Sequence, residues 1–297
     1  MKRISFACFG LICIIALTCC NNSGTKTSTT TDTAAAQATN NNSGSISNAK
    51  IGVQMYSFRM FTFAEALDKV DSAGAKNIEG YWSQPLGGGM KDSFGIRMSA
   101  ESRAKLKQLL QKKGISLVAM GVISPGTREE WIKAFDLAKE FGLSYITTEP
   151  RKDLWDMIDS MAGASGIKIA IHEHPKPNLY WHPDSVLAAI KGHSNIGACA
   201  DLGHWARSGL NPVDCLKKLE GHIYGAHLKD IKAFNDTKAQ DTVVGKGIID
   251  FPPIFQELKR QNFSGMLSVE HESNWYHNMP GVREAVQYYN RQVAQLK

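Results

Sequence analysis

Five short apolar runs in the second half of this chain each finish on a side chain that can ligate a metal or move a proton. They are SYITTEP with Glu149, IKIAIHEHP with His172 and His174, IGACADLGHW with Asp201 and His204, IYGAHLKD with His227 and Lys229, and MLSVEHE with Glu270. Near-continuous runs of Val, Ile, Leu and Ala suit strands covered on both faces, as in a parallel sheet wrapped by helices. Polar groups gathered where such strands end are what a parallel (β/α)8 barrel requires, because its site is built at the carboxyl ends of its strands.

Three earlier runs complete a set of eight expected strands: IGVQMYS from Ile51, KNIEGY from Lys76 and ISLVAMG from Ile115 precede those starting at Ser144, Lys168, Ile196, Ile223 and Met266. Between and after them lie stretches with helical spacing: Thr62 to Ala73, Ala100 to Lys113, Arg128 to Phe141, Leu154 to Ala162, Pro183 to Ile190, Pro212 to Leu219, Pro252 to Gln261 and Gly281 to Gln295. Several open on proline in the first turn, and several close on glycine, the usual helix punctuation. Regular alternation of strand and helix predicts the single-domain α/β barrel. An open doubly wound sheet would need a glycine-rich phosphate turn after its first strand, and YSFRMFT supplies none.

The chain opens with Lys2 and Arg3, an apolar run from Phe6 to Leu17, and then LTCC. That order predicts a secretory signal over residues 1–20, and LTCC resembles a bacterial lipoprotein cleavage box with Cys20, or else Cys19, as the lipidated residue. Residues 21–49 are mostly Ser, Thr, Asn, Ala and Gly, so a flexible tether is expected there, with the barrel over 50–297. The expectation is an exported protein, periplasmic or at the cell surface, held to the membrane by its lipid. Only Cys199 and Cys215 fall in the folded part, which argues for buried thiols and not a disulfide framework. The net charge of +6 is scattered along the chain, so no nucleic-acid partner is expected. The oligomeric state is left open.

Side chains two apart on a strand share a face. This groups Ala170, His172 and His174 together, then Gly225, His227 and Lys229, and finally Ser268, Glu270 and Glu272. Imidazole mixed with carboxylate suits a transition metal in an open site. Asp201, His227 and Glu270, from three successive strands, form the core of a candidate site, and the fourth ligand is His172 or Glu149. One divalent ion is expected, Mn, Co, Zn or Mg.

Taken in order, GVQMYSFR, IEGYW, IAIHEHP, CADLGHW, AHLKD, the GKG turn at Gly245 to Gly247 and SVEHE resemble the xylose-isomerase-like barrels of the sugar phosphate isomerase/epimerase superfamily, over nearly the whole chain from Ile51. The resemblance implies one divalent metal on His172, Asp201, His227 and Glu270, with His204 and Lys229 on substrate oxygens. It also implies a departure: related ketose epimerases carry Glu where this chain has His172, and use it with the residue matching Glu270 as two bases on opposite faces of the sugar. Glu149 is then the candidate replacement, as base or ligand, unless it caps the helix that follows Pro150.

A cation that holds a carbonyl and a neighbouring hydroxyl stabilises the enediolate left by proton loss. The expected reaction is therefore proton abstraction next to the carbonyl of an unphosphorylated keto sugar, with isomerisation, epimerisation or β-elimination as its outcomes, the last as in a dehydratase or 3-keto-glycoside lyase. Glu149, Glu270 and His204 are the expected catalytic groups. His174, Lys229, Glu79, Gln54, Tyr56 and Trp205 are expected at the substrate, the aromatic rings by stacking on sugar C–H faces. The competing expectation is a carbohydrate-binding lipoprotein without catalysis.

Overall fold

In the computed structural model, which describes residues 46–296, short β-branched runs alternate with longer amphipathic stretches throughout. The expected signal, Cys19, Cys20 and residues 21–45 of the expected tether lie outside the described residues. The described chain nevertheless departs from the expected boundary at residue 50. Ile46–Asn48 forms a short 3-10 turn, and Ile46 is buried in the core because it is an apolar side chain at the end of a polar tract.

Eight parallel strands close into a barrel in sequential order. They are β1 (Lys50–Gln54), β2 (Asn77–Tyr81), β3 (Ser116–Ile123), β4 (Tyr145–Thr148), β5 (Lys168–His172), β6 (Ile196–Asp201), β7 (Ile223–Leu228) and β8 (Met266–Val269), and β1 pairs with both β2 and β8. All eight are the expected strands, with ends shifted by a few residues. Closure leaves no free sheet edge.

Nine helices are described: α1 (Phe63–Ala73), α2 (Ala100–Lys113), α3 (Arg128–Phe141), α4 (Trp155–Ser165), α5 (Pro183–Ile190), α6 (Leu202–Arg207), α7 (Pro212–Lys218), α8 (Phe251–Arg260) and α9 (Met279–Gln295). Thr62 and Glu65 form a reciprocal capping box at α1, and Gly74, Gly114 and Gly142 end α1, α2 and α3 in the left-handed conformation. The main core lies between barrel and helices. A smaller one fills the barrel itself with Val118, Ala119, Tyr145, Ala170, Cys199 and Met266. Gly225 is required there, since a Cβ on it would stand 2.3 Å from the Tyr145 hydroxyl oxygen.

Three elements were not expected. Pro85–Gly87 pairs with Met90–Ser93 in a hairpin, Asp230–Ile231 pairs with Asp241–Thr242 in another, and α6 follows β6 without a linker. The second hairpin belongs to a long β7–α8 connection pinned by one carboxylate. Asp230 accepts from the backbone amides of Gly245, Gly247, Ile249 and its neighbour Ile231, which explains the GKG turn. Asp230→Ala removes the acceptor from all four amides at once. A loss of about 3 kcal/mol is expected in urea unfolding, with a smaller loss for Asp230→Asn.

Candidate metal centre

Each candidate ligand is placed by a strand end. His172 and Asp201 close β5 and β6, His227 lies in the last turn of the β7 ladder, and Glu270 follows β8. Asp201 and His227 are register partners across β6 and β7, so their side chains leave the sheet side by side. One atom from each of His172, Asp201, His227 and Glu270 lies within 4.8 Å of all the others.

Those four atoms are His172 Nε2, Asp201 Oδ2, His227 Nδ1 and Glu270 Oε2, and all are buried without a hydrogen-bond partner. They approach closely: His172 Nε2 to Asp201 Oδ2 is 3.4 Å, His227 Nδ1 to Asp201 Oδ2 is 3.5 Å, and His227 Nδ1 to Glu270 Oε2 is 3.0 Å. These are ion-pair distances that lack hydrogen-bond geometry. Ligand distances of 2.0–2.1 Å about a tetrahedral ion imply edges of about 3.3 Å, close to the observed spacing. Buried polar atoms left unpaired are costly, so four of them aimed at one point fit a divalent cation.

Carboxylates stand behind both imidazoles. His172 Nδ1 donates to Glu149 Oε1 at 3.1 Å, and His227 Nε2 donates to Glu79 Oε2 at 3.0 Å. Each bond leaves the other ring nitrogen with its lone pair toward the quartet, the usual support of a metal-binding histidine. Burial opposes charge on His172, but Asp201 and Glu149 outweigh it and raise its pKa to about 9.

Lys229 stands beside the quartet, fully buried. Its Nζ lies 3.5 Å from Asp201 Oδ2, 3.1 Å from Glu270 Oε2 and 2.5 Å from Glu272 Oε1. Burial disfavours the ammonium, yet Asp201, Glu270 and Glu272 hold its pKa well above the ordinary lysine value. Arg207 Nη1 donates to His204 Nδ1 at 3.0 Å, and the other ring nitrogen, Nε2, lies 3.3 Å from Lys229 Nζ and 3.7 Å from Asp201 Oδ2. Burial, then the neighbouring cations, keep this imidazole neutral.

A cavity of about 250 Å3 opens onto these groups, lined by Gln54, Tyr56, Tyr81, His172, His174, His204, Lys229, Glu270 and Glu272 among others. Most of the side chains singled out from sequence thus converge. Three are placed otherwise. Trp205 does not line the cavity: β6 passes directly into α6, the helical turn carries His204 toward the quartet, and Trp205 turns into the core, where it is fully buried. Glu79 points inward as expected but lies beneath His227, bonded to it and to Ser268 Oγ, and not at the cavity surface. Glu149 lies outside the quartet, in a second possible ligand group with His172 and His174, where both histidines bond Oε1 and Asn178 donates to Oε2. Burial opposes ionisation of Glu149, but the two histidines lower its pKa to about 2.

Two further groups escaped the sequence reading. Glu173 is fully buried and accepts the Asp201 backbone N–H at 3.2 Å, although alternation through HEH points it outward. Strand geometry ends at His172, so alternation no longer applies there. Asp241 pairs with Arg207 and accepts the Glu272 N–H at 3.0 Å, tying the long connection to the quartet's rim. No sequence signal marked it.

The pattern of the xylose isomerase-like TIM barrel matches residues 67–292. The chain belongs to that family. Among relatives, an inosose dehydratase of Clostridium botulinum is 30% identical over 146 residues, which are 44% of this chain and 47% of that protein. The chain thus spans about half the length of the inosose dehydratases it matches. An uncharacterised protein of Parabacteroides distasonis is 34% identical in structure-based comparison, covering 82% of this chain and 99% of that one with a TM-score of 0.67. The zinc-bound IOLI protein shares the family fold at 17% identity, covering 84% of this chain and 99% of that one, also with a TM-score of 0.67.

Two predictions follow from this placement. Zinc is expected to raise the melting temperature of the wild-type protein, and Glu79→Gln to weaken zinc about 10- to 100-fold in a calorimetric titration while leaving the four ligands in place. Trp205→Ala is expected to cost about 3–5 kcal/mol of stability, read in urea, through the cavity it opens in the core.

Proposed function

We propose that this protein is a divalent-metal-dependent enzyme that removes a proton next to the carbonyl of an unphosphorylated keto sugar and eliminates a β-substituent from the resulting enediolate. The observation that carries this reading is the convergence of four unpartnered ligand atoms with Lys229 and His204 at one small cavity. His172, Asp201, His227 and Glu270 would hold the cation, which supplies Lewis-acid polarisation of the carbonyl and neighbouring hydroxyl. Zinc in the IOLI protein and the dehydratase activity named for the Clostridium relative support the reading.

The chain's own groups have distinct tasks. The Lys229 ammonium donates to substrate oxygen, and its pairing with Glu272 fixes its position. His204 presents a neutral imidazole to the cavity, a hydrogen-bonding partner for substrate oxygen and not a strong base. Glu270 lines the cavity beside Lys229 and is the base we assign. In elimination the C–H electron pair becomes the new double bond, the proton goes to Glu270, and the β-oxygen takes a proton as its C–O bond breaks, returned from Glu270 or given by the Lys229 ammonium, so that it leaves as water or an alcohol.

Elimination is favoured over epimerisation by what stands at residue 172. Epimerisation needs bases on both faces of one carbon, and the carboxylate candidates reduce to Glu270 and Glu272, both on the β8 side of the cavity. His172 faces the quartet, and Glu149 is fully engaged behind it. Charge supports an unphosphorylated substrate: Asp201, Glu270 and Glu272 would balance Lys229 and a divalent cation, leaving no excess among these groups to neutralise a phosphate dianion. A lipidated protein outside the cytoplasm, as LTCC suggests, is consistent with that substrate class.

The test is proton exchange and turnover of keto sugars and 3-keto-glycosides in deuterated water with zinc or manganese present. Deuterium incorporation beside the carbonyl is expected, together with an ultraviolet-absorbing conjugated ketone. Lys229→Met should lower the rate at least about 100-fold, the scale of losing one transition-state donor, while retaining metal. An isomer without unsaturated product would replace elimination by isomerisation. Sugar binding without any exchange would refute the catalytic reading.

A further inference from the structure

Beside the metal cavity lies a larger one, about 560 Å3, formed at the ends of β2 and β3. Its walls continue those of the first: Tyr81 lines the metal cavity and Trp82 the larger one, and Val122 and Ile123 divide in the same way. Both linings draw on the ends of β2 and β3, so the two cavities lie at neighbouring positions on the same rim of the barrel. The metal cavity, at about 250 Å3, is close to the lower end of the roughly 300–1,000 Å3 typical of ligand sites. It has room for one sugar ring and little else.

The larger cavity combines the Trp82 indole, Ile96 and Pro125 with the hydrogen-bonding groups of Arg97, Ser124 and Glu130. Gly95 packs beside the indole at ordinary contact distance, and its φ of 145° is a backbone conformation that suits glycine. Arg97 is exposed and forms no ion pair among the described residues, which leaves its five N–H donors for another partner. Glu130 uses Oε2 to accept the Gly126 amide at 2.9 Å, and its other oxygen has no such bond. An apolar ring surface edged by donors and acceptors suits a pyranose, whose C–H face is apolar and whose rim is hydroxylated.

We propose that this second cavity is a subsite for the leaving part of a glycoside, so that the substrate is a disaccharide or longer carbohydrate with the oxidised ring on the metal side and a neighbouring sugar against Trp82 and Arg97. The proposal rests on the reading of the metal cavity as a keto-sugar site, and it specifies the side of that site on which the rest of the substrate lies. Charge again excludes an anionic occupant: Asp92 and Glu130 outnumber Arg97 in the lining.

The experiment is calorimetric titration of the zinc-loaded full chain with methyl β-glucoside, cellobiose, laminaribiose, maltose and sophorose, none of which can react. At least one disaccharide is expected to bind about tenfold more tightly than the methyl glycoside, a difference of about 1.4 kcal/mol. Arg97→Ala, at an exposed position, should reduce that advantage to about twofold or less, and Trp82→Ala should abolish it. Equal binding of disaccharide and methyl glycoside, undetectable binding of every disaccharide at millimolar concentration, or an unchanged preference in both variants would each overturn the subsite. Retained disaccharide preference without proton exchange from any keto sugar would leave the subsite standing and refute the catalytic reading instead.

Discussion

Two carboxylates and two imidazoles that turn unpartnered atoms toward one buried point define this molecule. Burying like charges at this distance is unfavourable unless positive charge lies between them. Lys229 supplies part of that charge, and the divalent cation we propose for the quartet would supply the rest. The surrounding structure follows from the same demand. Glu79 and Glu149 orient the imidazoles from behind, Arg207 holds His204, and Asp241 ties both Arg207 and the Glu272 backbone.

The barrel makes this arrangement affordable in conformational terms. Ligands that end strands are fixed by the ladder and not by loops, and the Asp201 to His227 register sets one pair directly. The loops then carry what varies. Asp230 pins the long connection after β7 through backbone amides, which holds Asp241 beneath the rim while its exposed residues face solvent. Opposite, the hairpin after β2 builds one wall of the larger cavity.

The strands, most helices and the convergence of His172, Asp201, His227 and Glu270 could be read from the chain, because burial imposes periodicity and strand ends are where it stops. What escaped lay where periodicity itself breaks down. Trp205 follows Asp201 by one helical turn, and α6 is too short to announce itself by spacing. Glu173 sits just past the end of β5, where alternation no longer holds. The tasks of Glu149 and Glu79 depend on partners 23 and 148 residues away, a relation that no local pattern encodes.

The most direct test is anomalous diffraction from crystals of the full chain grown with zinc. The account predicts one strong anomalous peak within bonding distance of His172 Nε2, Asp201 Oδ2, His227 Nδ1 and Glu270 Oε2, lost in Asp201→Asn. A peak held by other residues, or an occupied quartet that contains only water at saturating zinc, would contradict it.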